Sequence, residues 1–296
     1  MKCGTVSLIG RPNVGKSSLI NALLKTRAVI ISPKPQTTRN SIRCIYNDEN
    51  AQIIFTDTPG LYRVKNSKDK LGIFLNEEIS GALEDSDAAL WLIDAATRKL
   101  EPDDFAVAEI LPPSLPVILI ANKSDKSNPS QAFKLYEGLY KFKAKLSVSA
   151  KINRGLENLM NVLMPLIPDG EILYDPEILM DTTEKFMTSE IIREKILRLL
   201  RDEVPHCIAV EIDEYKSPEE FPDRKKLYIR ASLVTETEGQ KKILIGSDGS
   251  MIKKIGALAR RDLEEVTGQG VYLDLWVKVL PGWRKNNTAL KRLGYA

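Results

Sequence analysis

The chain has 296 residues, with 43 Lys and Arg against 40 Asp and Glu, one His, three Cys and 43% apolar residues. This length suits two domains with packed cores; no run nears the roughly 18 apolar residues of a membrane span, and the N-terminus has no secretory-leader pattern. One His excludes an HExxH site, and the separated Cys3, Cys44 and Cys207 argue against disulfides or a zinc knuckle, so a soluble protein of a reducing compartment is expected.

Apolar runs predict strands over 5–10, 51–57, 87–94, 115–122 and 143–150. Amphipathic stretches between them predict helices over 17–25, 70–84, 103–111, 129–140 and 155–163. Strands alternating with helices indicate a mostly parallel sheet covered on both faces. One exception is expected, because NDEN joins 40–46 to 51–57 as a hairpin and makes one strand antiparallel. Residues 165–181 carry three prolines and five acids, the composition of a linker. The boundaries expected are a first domain over 1–167, a linker over 168–181 and a second domain over 182–296.

Past the linker, helical spacing covers 183–201, with Thr182 or Thr183 as N-cap. Strands are expected over 207–213 and 226–234, and an apolar strand end at Ile243, Leu244 and Ile245. A helix over 251–266, a strand over 271–279 and a short helix over 286–293 follow. This order gives a smaller α+β domain.

Gly10-Arg11-Pro12-Asn13-Val14-Gly15-Lys16-Ser17 fits GxxxxGK[ST] directly after a strand and at the start of a helix. Its glycines let backbone N–H groups from Gly10 through Ser18 wrap phosphates, and the helix N-terminus adds positive potential. Lys16 is expected on the outer phosphates and Ser17 on Mg²⁺. Asp57-Thr58-Pro59-Gly60 ends a strand, where Asp57 can hold Mg²⁺ through water and the Gly60 N–H can meet the γ-phosphate. Asn122-Lys123-Ser124-Asp125 ends another. Asp125 can accept from the guanine N1–H and exocyclic amine, Lys123 can lie along the base, and Asn122 joins the selection of guanine. Ser149-Ala150-Lys151 follows the next strand and supplies a backbone N–H for guanine O6. All lie at one sheet edge, where open α/β sheets bind ligands. Between the phosphate loop and Asp57, Thr38, with Thr37 as the alternative, is the expected switch hydroxyl for Mg²⁺.

With GRPNVGKS, PQTTR, DTPG, NKSD and SAK in this order, the chain resembles the translation-factor-related GTPases. Among them it closely resembles the Era family. The segments EIIREKILRLLRDEVPHCIAVEID, IGSDGSMIKKIG and GWRKNNTALKRLGY are similar to that family's C-terminal type II KH domain. The resemblance implies a Ras-like P-loop GTPase domain followed by an RNA-binding domain. It implies GTP and GDP as ligands with Mg²⁺, and slow hydrolysis. It further implies binding to the 3′ region of small-subunit (16S) ribosomal RNA, in maturation of the 30S subunit. A monomer is expected, in the cytoplasm, with peripheral association at the inner face of the membrane. Two departures stand out: Leu61-Tyr62-Arg63-Val64-Lys65 replaces the usual Ile-His and Pro-Lys, and the loop NSKDKLG is longer than usual. Leu61 stands where water-orienting GTPases carry Gln, which accounts for slow turnover. Asn13 resembles the Asn that helps bind an activating K⁺ in related GTPases; the alternative role is loop stabilisation.

In KH domains a GxxG loop, here Gly246-Ser247-Asp248-Gly249, clamps about four nucleotides. Lys253 and Arg260 share one helix face and Lys254 and Arg261 another, placed to contact phosphates rather than to read bases. Trp283 is either a base-stacking residue or a core-edge aromatic. The whole-chain charge of +3 hides a gradient: residues 224–296 hold 15 basic and 7 acidic residues, against 6 and 12 in 181–223. The basic segment surrounds the GxxG loop.

Overall fold

The structure is a computed structural model describing residues 1–32, 34, 37–61, 69–220 and 225–295. The chain divides into two compact units with the break between Asp181 and Thr182.

In the first unit, β1 (Lys2–Ile9) leads into α1 (Lys16–Leu24), and the hairpin β2 (Ile42–Asn47) and β3 (Ala51–Asp57) follows. Then come α2 (Lys70–Glu84), β4 (Ala88–Asp94), α3 (Pro102–Ile110), β5 (Val117–Asn122), α4 (Ser130–Tyr136), β6 (Ala144–Ser147), α5 (Leu156–Leu163) and β7 (Met180–Asp181). The sheet order is β6-β5-β4-β1-β3-β2-β7. β1 pairs in parallel with β3 and β4, and β2 runs antiparallel to β3, as the NDEN turn requires. Every residue of β3 and β5 is buried, because helices on both faces leave no solvent side. One core gathers Trp91, Val117, Leu119, Val107 and Tyr136, with Trp91 edge-on to Tyr136 at 5.6 Å.

The Pro- and acid-rich stretch after α5 is hydrogen-bonded onto this sheet. Cys3 N–H donates to Pro168 O at 3.0 Å, Gly170 N–H to Met1 O at 3.0 Å, and β7 covers the free edge of β2. The buried Gln52 amide holds the middle. Its Oε1 accepts from Leu173 and Tyr174 N–H at 2.7 and 3.0 Å, and its Nε2 donates to Tyr174 O at 2.8 Å. Composition reports exposed side chains, whereas the backbone here is strapped down.

The second unit comprises α6 (Glu184–Leu199), β8 (Ala209–Lys216), β9 (Leu227–Thr235), α7 (Glu238–Ile245), α8 (Ser250–Thr267), β10 (Val271–Val279) and α9 (Asn287–Arg292). Its sheet order is β10-β9-β8, with β10 parallel and β8 antiparallel to the central β9. Thr183 is the N-cap of α6, accepting from Phe186 N–H. That helix buries its charged side as well as its apolar one. Glu194, Lys195 and Arg193 are under 3% exposed, and Lys195 pairs with Glu194 and with Asp262 of α8. Buried charges of this kind persist only when paired.

One expectation is corrected. Ile243, Leu244 and Ile245 end a helix, α7, not a strand. The preceding Thr237-x-x-Gln240 forms a full capping box, which fixes a helix N-terminus before the apolar run. The GxxG loop therefore joins two helices. Among the described residues no helix is long and apolar enough to cross a membrane.

Candidate nucleotide site and RNA groove

The carboxyl ends of β1, β3, β4 and β5 converge on one edge. Gly10, with φ +136°, could not carry a side chain, since a Cβ would stand 2.3 Å from Leu92 O. At Gly15, φ +100°, a Cβ would meet Asn122 Nδ2 at the same distance. These two positions need glycine on both torsional and steric grounds. Lys16 is buried, and its ammonium donates to Gly10 O at 3.1 Å and Arg11 O at 3.3 Å. Burial lowers its pKa to about 8 against the opposing pull of Asp57.

Three oxygens meet beside this loop. Ser17 Oγ donates to Asp57 Oδ2 at 2.6 Å, Thr38 Oγ1 donates to the same atom at 3.1 Å, and the hydroxyls are 3.3 Å apart. Thr37 instead donates to Lys34 O at 2.7 Å, capping its own turn. A buried carboxylate with two hydroxyls is a hard-oxygen set of the kind Mg²⁺ takes alongside phosphates. Gly60 is pressed against the phosphate loop, where a Cβ would come within 2.9 Å of Pro12 N. Leu61 is buried in the first unit's core. Tyr62 through Lys65, the first three residues of the following loop, and Pro35 and Gln36 lie outside the described residues.

At the base end, Asn122 Nδ2 donates to Val14 O at 2.9 Å and its Oδ1 accepts from Ala150 N–H at 3.1 Å. The side chain ties three motifs together and has a second amide N–H for a ligand. Asp125 is exposed and accepts from Ser149 Oγ at 2.6 Å, a bond that holds its carboxyl below the usual range. Ser149 and Ala150 N–H are bonded within the protein, to Arg154 O and Asn122 Oδ1. Lys151 N–H is the remaining backbone donor of that motif, and Lys151 lines the cavity.

Sequence reasoning missed Asp94. Lys123 Nζ donates to Asn13 O at 2.7 Å and to Asp94 Oδ2 at 2.9 Å. Burial opposes ionisation of Asp94, but the Lys123 and Ala96 hydrogen bonds and nearby Lys126 hold its carboxyl below the usual range. Asn13 and Lys123 both sit at positive φ, 64° and 62°, and each is pinned by this bridge. An acid ending a strand was the signal; nothing in the sequence showed that it faces Lys123. Two cavities, of about 480 and 500 Å³, share Gly15, Ser18, Ile31 and Lys123 as lining. They make one groove from the Ser17–Thr38–Asp57 end to the Asp125–Ser149 end.

In the second unit, Gly246 has φ +75° and ψ 175°, and a Cβ would stand 2.8 Å from Met251 N. Only glycine takes that conformation. Gly249, φ +76° and ψ 13°, is the N-cap of α8, and a Cβ there meets nothing nearer than 3.6 Å. Ser247 and Asp248 are exposed between them, so the N-terminal amides of α8 open to solvent. A cavity of about 420 Å³ runs beside α8 with Ile252, Gly256, Leu273 and Leu275 as apolar lining and Lys226, Lys253 and Arg260 as cations. Gly256 lets α8 approach β10, its Cβ position being 3.4 Å from Leu275. Lys254 and Arg261 are exposed on the neighbouring stripe, outside this lining. Lys226, just ahead of β9, was missed because only the folded sheet brings it here. Trp283 is fully buried, stacks on Tyr295 at 5.8 Å and donates from Nε1 to Cys207 O, so of its two expected roles it takes the core one.

Residues 5–123 match the family model described as 50S ribosome-binding GTPase, and residues 203–284 that of the KH domain. Over its full length the chain is 42% identical to GTPase Era of Thermoanaerobacter sp. (strain X514), covering 97% of that protein. It is also 42% identical, over its full length, to GTPase Era of Caldanaerobacter subterraneus subsp. tengcongensis, covering 98% of it. Two solved structures match all of this chain with a TM-score of 0.93 at 38% identity. One is a point variant of Aquifex aeolicus Era bound to GDP·AlF₄⁻, covered in full. The other is Era in complex with MgGDPNP and nucleotides 1506–1542 of 16S ribosomal RNA, covered to 99%.

Proposed function

The chain belongs to the Era family of GTPases, and on that premise we propose that it couples slow GTP hydrolysis to binding of small-subunit ribosomal RNA during assembly of the 30S subunit. It binds GTP or GDP with Mg²⁺ in its first unit, and the 3′ region of 16S RNA through its KH domain. The observation that carries this reading is one groove with magnesium-type oxygens at one end and the guanine-type carboxylate Asp125 at the other.

Each group has a task. The loop N–H groups and Lys16 hold the phosphates, and Lys16 counters charge that builds on them. Ser17, Thr38 and Asp57 would hold Mg²⁺, the carboxylate through water, and Asp57 accepts from both hydroxyls. Mg²⁺, when bound, neutralises phosphate charge. Asp125 accepts from the guanine N1–H and amine, the Asn122 amide bonds the ring, and Lys151 N–H serves O6. Water is the nucleophile, Gly60 N–H meets the γ-phosphate, and Leu61 supplies no polar group to orient that water. Turnover is accordingly slow until another element places it.

Asn13 is assigned to a K⁺ site beside the phosphates, supported by its exposure and by the pinned backbone that holds it at φ 64°. Hydrolysis is then faster in K⁺ than in Na⁺, and Asn13→Ala abolishes the difference; equal rates in both salts would remove the role. The protein acts as a monomer in the cytoplasm, with any membrane contact peripheral. GTP turnover with and without the 3′ segment of 16S RNA tests the central reading. Stimulation is expected, and an unchanged rate would leave hydrolysis incidental to RNA binding.

A further inference from the structure

Strand β10 is the edge of the second sheet, and its side chains alternate between two fates. Leu273, Leu275 and Val277 pack on the core beneath α8. The opposite row is Tyr272, Asp274, Trp276 and Lys278. Tyr272 is 57% and Trp276 56% exposed, large apolar surfaces that do nothing for the core. Four residues apart on a strand, they stand about 13 Å from each other on one face.

Both rings are held in place. Tyr272 stacks on Tyr228, its register partner on β9, with centroids 5.8 Å apart and planes 17° apart. Trp276 Nε1 donates to Asp274 Oδ2 at 2.9 Å, and that carboxylate also accepts from Arg230 Nε at 3.3 Å. The surrounding charges are spent on one another: Arg230 pairs with Glu214, and Lys278 with Asp213. This face therefore offers ring surfaces rather than phosphate-binding cations. Tyr272 also lines the cavity that holds Ile252, Lys253 and Arg260. The platform begins where the RNA groove ends.

We propose that Tyr272 and Trp276 form a stacking platform for unpaired bases of the RNA strand beyond the few nucleotides clamped at the GxxG loop. The proposal rests on the RNA-binding reading above and adds a second contact zone to it. Continuity through Tyr272 makes the same strand the occupant. Flat, rigid rings without free charge suit bases of any sequence, since every base has a π-face.

Trp276 can report on itself. The chain has three tryptophans, and Trp91 and Trp283 are fully buried. The full chain, loaded with a non-hydrolysable GTP analogue, is titrated with single-stranded oligoribonucleotides of stepped length, following indole emission and affinity. Expected is quenching of the exposed indole, with an affinity gain of about tenfold per stacked base once the strand outgrows the GxxG clamp. Trp276→Ala, at a residue outside the groove lining, loses that gain and still binds the shortest strands normally. Trp276→Phe keeps the gain but loses the quenching. Unchanged affinity of the Trp276→Ala protein and unmoved wild-type emission, with Gly249→Asp weakening RNA binding by about tenfold or more, would overturn the platform and leave the RNA reading intact. If Gly249→Asp also binds normally, the RNA reading itself fails. Shielding of Trp276 from acrylamide without RNA would assign the platform to a protein surface, overturning the proposal in a third way.

Discussion

The nucleotide groove and the RNA groove both bind phosphorylated ligands, yet they are built in opposite ways. In the first, nearly every group is positioned by another: Ser17 and Thr38 by Asp57, Lys123 by Asp94, and Asn122 by Val14 O and Ala150 N–H. In the second, exposed lysines and arginines stand over an apolar floor, with few mutual contacts. A Mg²⁺–triphosphate has one geometry and rewards a rigid site. A single strand of RNA has many, and adaptable charge suits it. Crowding should therefore be punished far more in the first groove. Gly15→Ala places a methyl 2.3 Å from Asn122 Nδ2 at φ +100°, so loss of GTP affinity by about a hundredfold or more is expected in equilibrium titrations. A loss below fivefold would show that the loop is soft.

The matching test in the second groove separates two glycines of one motif. Gly249 lies in the αL region with open space at its Cβ position, so Gly249→Asp fits the backbone and acts by adding negative charge at the helix N-terminus. RNA affinity should fall by about tenfold to a hundredfold, with GTP affinity unchanged. Gly246→Ala, by contrast, collides with Met251 and should lower the second unit's stability by about 1–3 kcal/mol, read by denaturant unfolding. If both variants behaved alike, the conformational distinction would be wrong.

The nucleotide site was legible for the reason that makes it rigid. Its constraints are local, so Gly10, Gly15, Lys16 and Ser17 appear at fixed spacing in one segment, and each later motif ends a strand. Choosing Thr38 over Thr37 needed coordinates, because two adjacent hydroxyls are equivalent until the backbone decides which one faces Asp57. Asp94 was invisible because its partner lies 29 positions away. The RNA groove was legible only at its loop. Its walls come from α8, β10 and Lys226 just ahead of β9, and period-two alternation shows that Tyr272 and Leu273 face opposite ways without showing which of them α8 covers. Helix α7 was missed because three consecutive apolar residues fit a strand as well as a helix end, and the deciding signal was the Thr237–Gln240 box upstream.

The rigid site should also carry a pH signature that the open one lacks. Lys16, with its pKa lowered to about 8, is charged below that value and loses its proton above it, whereas bound phosphates favour the charged form. Its contribution to affinity is thus fully present below about pH 8 and lost as pH rises beyond it, approaching tenfold one unit higher. The ratio of GTP to GMP affinity isolates the outer phosphates from changes in the base. A ratio flat from pH 7 to 9 would mean that Lys16 stays charged throughout. A smaller effect is expected at the Asp94–Lys123 bridge, where Asp94→Asn should speed GDP release by about fivefold. Lys123→Ala should give little further change in that background, because one bridge is being broken twice.

The finest test lies within the open groove, between its two cationic stripes. Lys253 and Arg260 line the cavity, and Lys254 and Arg261 stand on the next stripe of α8. For single strands, each phosphate contact adds about 0.7 to the slope of log affinity against log salt. Lys253→Ala should lower that slope by about this amount, with Lys254→Ala lowering it less, because its ammonium meets only strand that leaves the groove. Equal slopes for the two variants would spread the phosphate path across the whole helix face, and the groove would lose its claim to direct the strand toward Tyr272.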